Sequence, residues 1–142
     1  NGRKDVGMGL GSLLGKKLAQ YELFNHVDGL VAVPLHPAKV LRRGFNQSAV
    51  IIKGIIEHID KPDLSRALER TEFTPSQTTM DRFNRFRNMD RVFKCTRPAL
   101  IREKHLLLVD DVITTGSTLQ ACAKSLLDEG AASISVATIA RA

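Results

Sequence analysis

The chain has 142 residues, 43% of them hydrophobic and 25% charged, which is the profile of one globular domain with a core of ordinary size. No apolar run approaches the roughly 18 residues of a membrane span, no signal peptide is visible, and Cys95 and Cys122 stand alone in strand-like and helix-like settings. These features argue against a membrane-spanning role, a disulfide framework and a metal knuckle, and they lead one to expect packed, reduced thiols in a cytoplasmic protein. The net charge of +6 is local: between Arg82 and Lys104 eight Lys or Arg residues accompany two acids, and the remainder balances. Such a cluster fits an anionic ligand. With only 5% aromatic residues and no Trp, the stacking platforms of single-stranded nucleic-acid binders are scarce, so a small anion is favoured. Direct DNA binding through the Arg82 to Lys104 cluster is the competing reading, and it requires a steep salt dependence.

In chain order, residues 1–5 form a polar opening without an initiator Met, which reads as a fragment or a processed chain of one domain, 1–142. From Val6 to Leu23 the spacing of Leu10, Leu13, Leu14 and Leu18 predicts a helix, with Gly7, Gly9, Gly11 and Gly15 lowering its propensity and permitting close packing. Leu30 to Pro34 reads as a short apolar strand ended by its proline. It leads into a basic loop with Lys39, Arg42 and Arg43, and a helix follows from near Asn46. Ala49, Ile52, Ile55, Ile56 and Ile59 continue that helix until Asp60-Lys61-Pro62 closes it. Leu64 to Leu68 is expected to return as a strand. Thr71 to Arg91 lacks a sustained apolar period and reads as a long mobile loop running into a short basic helix. Val92 to Cys95 and Leu106 to Val109 are further strands, and the second of these is apolar enough to be buried on both faces. A helix beginning near Leu119, capped by Ser117 or Thr118, carries Cys122, Ala123, Leu126 and Leu127 inward and ends with Gly130 at its C′ position. Ile134 to Ala140 is a last strand. Right-handed crossovers between such units imply an α/β fold with a mainly parallel sheet flanked by helices.

Chemistry concentrates where the second buried strand ends. Asp110 and Asp111 follow it, and Thr114-Thr115-Gly116-Ser117-Thr118 leads into the helix. A turn rich in backbone N–H groups at the positive end of a helix dipole receives phosphate, and ligands of open α/β sheets bind at the carboxyl ends of the strands. Phosphate beside two carboxylates is repelled, so the ligand should present hydroxyls or a bridging cation to Asp110 and Asp111 and its phosphate to the turn. A ribose 5-phosphate has that shape. A P-loop would need Lys where Ser117 stands, and a receiver domain would need far more chain after its acid pair. Lys39, Arg42 and Arg43, between a strand and a helix N-terminus, would receive a second phosphate group. Among His26, His36, His58 and His105 no metal-ligand spacing occurs, and only His36 lies beside these residues.

The run Leu106 to Thr118 resembles the phosphoribosyl pyrophosphate (PRPP) binding motif of type I phosphoribosyltransferases. Val33-Pro34-Leu35-His36-Pro37 with Arg43-Gly44-Phe45-Asn46-Gln47 resembles the ComF family, phosphoribosyltransferase-like proteins that include competence proteins associated with DNA uptake. The likeness extends through Gln77-Thr78, Arg82, Arg87-Asn88 and Phe93. It implies a type I phosphoribosyltransferase-like fold and transfer of a ribose 5-phosphate group from PRPP to an acceptor, with release of pyrophosphate. Within that frame Asp110 and Asp111 are the catalytic acids, close to a Mg²⁺ that PRPP carries and that no side chain ligates directly. Thr114, Thr115, Gly116, Ser117 and Thr118 hold the 5-phosphate, and Lys39, Arg42 and Arg43 meet the pyrophosphate. Gln77, Arg82, Arg87 and Asn88 belong to a lid. The alternative implied by the same family is a non-catalytic PRPP- or nucleotide-binding module that works with competence and DNA-uptake proteins. Members commonly carry an N-terminal four-cysteine zinc ribbon, and the two cysteines here do not supply one, so a shortened chain or a variant is expected. Neither the acceptor nor the oligomeric state is legible.

Overall fold

In a computed structural model of the chain, which describes residues 2–71 and 92–142, the strand β4 (His105–Ile113) is the element against which the rest is registered. Leu106, Leu107, Leu108 and Val109 are each at most 1% exposed, and the alternation of a strand sends them to opposite sides. Leu106 and Leu108 enter one apolar cluster, Leu107 and Val109 another. β1 (Gly29–Ala32) pairs with β4 in parallel, Leu30 opposite Leu107, and β5 (Ser133–Arg141) pairs in parallel on the other side, Leu108 opposite Val136. The order is β1-β4-β5. A separate antiparallel ribbon joins β2 (Leu68–Arg70) to β3 (Phe93–Cys95).

On the first face, α4 (Ser117–Asp128) buries Leu119, Cys122 and Leu126 against Leu106, Leu108 and the ribbon residue Phe93. Gly130 occupies C′ as expected: its N–H donates to the Leu127 carbonyl and that of Ala131 to Leu126, closing a Schellman turn. Both thiols are buried and free, and burial pushes both above the ordinary thiol range, so they pack as small apolar groups. On the second face lies α3 (Gln47–Ile55), whose Ile51, Ile52 and Ile55 meet Leu30, Leu107 and Val109. α1 (Gly2–Leu18) crosses α3 from outside.

The α1–α3 contact is made by backbone. A Cβ on Gly11 would stand 2.1 Å from the carbonyl oxygen of Ile51, and one on Gly54 2.3 Å from that of Met8. Gly7, Gly11 and Gly15 are therefore the buried stripe of α1, together with Leu18, while Val6, Leu10 and Leu13 face outward. The expected helix exists, but two of the four leucines that signalled it are not its packing face.

Three further departures have local causes. Residues 35–43 do not form a loop throughout, because Pro37 starts the seven-residue helix α2 (Pro37–Arg43) with its preset φ and dispensable N–H. The His36 Nδ1 caps it by accepting the N–H of Ala38 at 3.0 Å. The strand expected over Leu64 to Leu68 begins only at Leu68, because Asp63 Oδ1 accepts from both the N–H and the hydroxyl of Ser65, and residues 65–67 turn as a 3₁₀ helix. β4 does not stop before its acids: the ladder continues with Asp110 opposite Thr138 and Val112 opposite Ala140, since β5 is long enough to pair with it. The long loop expected over residues 71–91 falls almost wholly outside the described residues. Among the described residues no helix is long and apolar enough to cross a membrane.

Candidate functional site

The site grows from the carboxyl end of β4. Asp110, partly buried, accepts the backbone N–H of Asp111 at 2.9 Å and the hydroxyl of Ser48 at 3.2 Å on the same Oδ1. Asp111 Oδ1 accepts the N–H of Val112 at 2.8 Å. Burial, and then the neighbouring Asp111, push the Asp110 carboxyl up to about 6. One of the two acids thus changes charge within reach of physiological pH.

Ser48 is 4% exposed and comes from the first turn of α3. Its place is set by Asn46, the N-cap of α3, whose Oδ1 accepts the N–H groups of Ser48 at 2.9 Å and Ala49 at 3.4 Å. The Asn46 amide donates in turn to the Val33 carbonyl at 3.2 Å, tying the start of α3 to the end of β1. Neither residue was a candidate from the sequence. Asn at an N-cap is a visible signal, whereas nothing in the chain order connects Ser48 to an acid 62 positions later.

Beyond the acids, Thr114 to Thr118 turns into α4 with Gly116 as N-cap at φ +83, a left-handed conformation that favours glycine. Ser117 and Thr118 are consequently the first helical residues and not the cap, because Gly116 already makes the turn and no side chain closes it. Thr115 Oγ1 instead accepts the N–H of Ser117 at 3.3 Å and lies 2.9 Å from its hydroxyl. A hollow of about 40 Å³ is lined by Asp110, Val112, Ile113, Thr114, Gly116, Thr118 and Leu119. The structure therefore brings Asp110 to the same hollow as three of the five turn residues, at the positive end of the α4 dipole.

The basic residues are divided. Arg42 and Arg43, in the last turn of α2, line a second cavity of about 650 Å³, while Lys39 is not among its lining residues. Gln47 lines that cavity as well, and the next residue in the chain, Ser48, donates to Asp110. Gln77, Arg82, Arg87 and Asn88 lie outside the described residues, as does much of the Arg82 to Lys104 cluster. Among the described residues no group of three His, Cys, Asp or Glu could hold a metal ion. Two adjacent carboxylates, one of them destabilised as an anion, are the oxygen donors that suit a hard divalent cation shared with a ligand.

Comparison with known proteins bears on the family and the fold. The family model described as "Phosphoribosyl transferase domain" matches residues 39–142. The DNA utilization protein YhgH of Escherichia coli K12 is 36% identical over 114 residues, 80% of this chain and 49% of that protein. Competence protein F of Haemophilus influenzae is 32% identical over 116 residues, 81% of this chain and 51% of that protein. The chain spans about half the length of these relatives. Among solved structures, the glutamine PRPP amidotransferase from B. subtilis, complexed with ADP and GMP, superposes with a TM-score of 0.63 at 19% identity. That superposition covers 93% of this chain and 26% of the other, and it speaks for the fold.

Proposed function

The chain belongs to the phosphoribosyl transferase domain family as a ComF-family, type I phosphoribosyltransferase-like member, and from that premise we propose that it binds PRPP where β4 meets α4 and transfers ribose 5-phosphate to an acceptor, releasing pyrophosphate. The observation that carries this reading is the hollow shared by Asp110, Thr114, Gly116 and Thr118 at the start of α4. Its backbone N–H groups and hydroxyls suit the 5-phosphate, with Thr115 and Ser117 completing the turn.

Asp110 and Asp111, ionised, accept the ribose hydroxyls and lie where positive charge develops as the anomeric centre passes through an oxocarbenium-like state. Ser48 and the Asp111 N–H keep the Asp110 carboxylate oriented. A Mg²⁺ arriving with PRPP would supply charge neutralisation for the departing pyrophosphate next to these acids. Lys39, Arg42 and Arg43 offer cations for the same leaving group, and Gln77, Arg82, Arg87 and Asn88 are assigned to a lid that excludes water. The cytoplasm is the proposed location.

PRPP titrated calorimetrically in Mg²⁺ tests the reading, with Asp110→Asn/Asp111→Asn as the comparison protein. Unchanged affinity in the double variant would sink the assignment. A second reading is favoured by the names of the relatives, a competence protein and a DNA utilization protein: a PRPP- or nucleotide-binding module that serves DNA uptake beside competence proteins without turnover. Pyrophosphate release from PRPP across bases and amines separates the two, since a pure sensor releases none above blank.

A further inference from the structure

The basic arm, residues 34–45, buries none of its residues, those of α2 included, and its Leu41 is 88% exposed. A segment without apolar packing takes its position from its two ends. Here the ends are bonded to each other: the Asn46 amide donates to the Val33 carbonyl at 3.2 Å and closes a neck beneath the arm. Two routes then join that neck to the acid. On one, the Val33 N–H donates to the Val109 carbonyl at 2.9 Å, and Asp110 is the next residue. On the other, Asn46 Oδ1 accepts the Ser48 N–H at 2.9 Å, and the Ser48 hydroxyl donates to Asp110 Oδ1 at 3.2 Å. These bonds form a closed circuit through the end of β1, the start of α3 and the carboxyl end of β4.

Such a circuit constrains everything in it. Ser48 is 4% exposed, so a turn of the Asp110 carboxylate would leave a buried hydroxyl unpaired. A shift of the arm would break the Asn46 amide from Val33 or pull on the cap of α3. We propose that Asn46 and Ser48 are positioning residues that fix the separation between the basic arm and Asp110, so that one ligand with an anionic group at the arm and hydroxyls at the acid meets both. This rests on the PRPP reading. Neither side chain touches the ligand in this scheme; Ser48 acts through Asp110, and Asn46 through the arm and Ser48. Joining two groups in one molecule strengthens binding only where the protein holds their sites at the matching distance. PRPP has its pyrophosphate and its ribose 5-phosphate in one molecule, and the two parts can also be offered separately. The circuit therefore matters more to PRPP than to its parts.

Two substitutions separate the links. Asn46→Ser keeps a side-chain oxygen able to cap α3 and removes the amide donor to Val33. Ser48→Ala keeps the N–H that Asn46 accepts and removes the hydroxyl. PRPP, ribose 5-phosphate and inorganic pyrophosphate are titrated separately by calorimetry in Mg²⁺ at pH 8, above the Asp110 carboxyl at about 6, so that position and not protonation is read. Asn46→Ser should weaken PRPP roughly fivefold or more and each part by less than about twofold. Ser48→Ala should weaken PRPP and ribose 5-phosphate by roughly fivefold or more and leave pyrophosphate within about twofold, because the neck of the arm is intact. Unchanged PRPP affinity in either variant overturns the proposal. Proportional weakening of all three titrants together with a lowered melting temperature also overturns it, because that is what a merely structural role produces. So does a wild-type chain that binds PRPP and no pyrophosphate, since the arm then holds no anion. A wild-type chain that binds no PRPP defeats the phosphoribosyl reading itself, before either variant is compared.

Discussion

Two halves of the molecule are built in opposite ways. The β4–α4 half is contiguous in the chain, and side-chain packing holds it: Leu106 and Leu108 against Leu119, Cys122 and Leu126. The α1–α2–α3 half is assembled from three helices, and its outer helix is held by backbone against backbone at Gly11 and Gly54. A packed interior of branched side chains tolerates small changes by local shifts, whereas a glycine contact has no slack. The first half should therefore respond to mutation locally, in ligand binding, and the second globally, in stability.

The largest effect follows from that contrast. Gly11→Ala places a Cβ 2.1 Å from the Ile51 carbonyl oxygen, where nothing can yield without parting two helices. The expected cost is at or above about 3 kcal/mol, the upper end for overpacking. A thermal melt followed by circular dichroism reads it, and a shift of less than a few degrees would show that α1 is not held by this contact.

In the contiguous half, Asp110→Asn/Asp111→Asn should weaken PRPP by tenfold or more in Mg²⁺ and leave the melting temperature at neutral pH the same or higher. The direction follows from the Asp110 carboxyl, whose folded pKa is raised to about 6 from its ordinary 3.8 by burial and by the neighbouring Asp111. A raised carboxyl binds its proton more tightly in the folded state, so its contribution to stability is fully present below about 3.8 and is lost as pH rises through about 6. Asp110→Asn alone should thus raise stability relative to the wild type at pH 8, by roughly 1–2 kcal/mol once partial exposure is discounted. Near pH 4 the difference should vanish. PRPP affinity should move the other way and strengthen from pH 5 to pH 7, as the acid becomes an anion able to accept hydroxyls. Melts and titrations across this window that show no such opposition would remove Asp110 as the titrating group.

This division also explains what could be read from the order of residues. Leu106 to Thr118 was legible because strand, acids, turn and helix start are neighbours in the chain, and the parallel α/β arrangement followed from its periodicity. α2 was not, because seven residues hold too few turns to show a helical period and its two arginines resemble a solvated loop. Ser48 was invisible for a different reason: tertiary packing alone brings it to an acid far along the chain. The exposed Leu10 and Leu13 misled for a third, since a glycine stripe leaves no apolar signature on the face it buries.

Two glycines yield smaller effects and sharpen the contrast. At Gly116 a Cβ would meet only the Ile113 Cδ1 at 3.9 Å, so space is available and the cost is conformational: φ +83 disfavours other residues by about 1–2 kcal/mol. Gly116→Ala should lower stability by that amount and weaken PRPP by more than a matched loss of stability elsewhere, since the turn itself presents the N–H groups. Gly9→Ala is the smallest change and the control for Gly11→Ala. Gly9 lies in the same helix, two residues away, and a Cβ there meets nothing within 4 Å. Helix propensity alone then operates, and the substitution should stabilise by about 0.5–1 kcal/mol. Opposite signs at positions 9 and 11 in one melting experiment would identify backbone contact, and not helix formation, as what holds α1 in place. Equal signs would return the helix to ordinary side-chain docking and remove the distinction between the two halves.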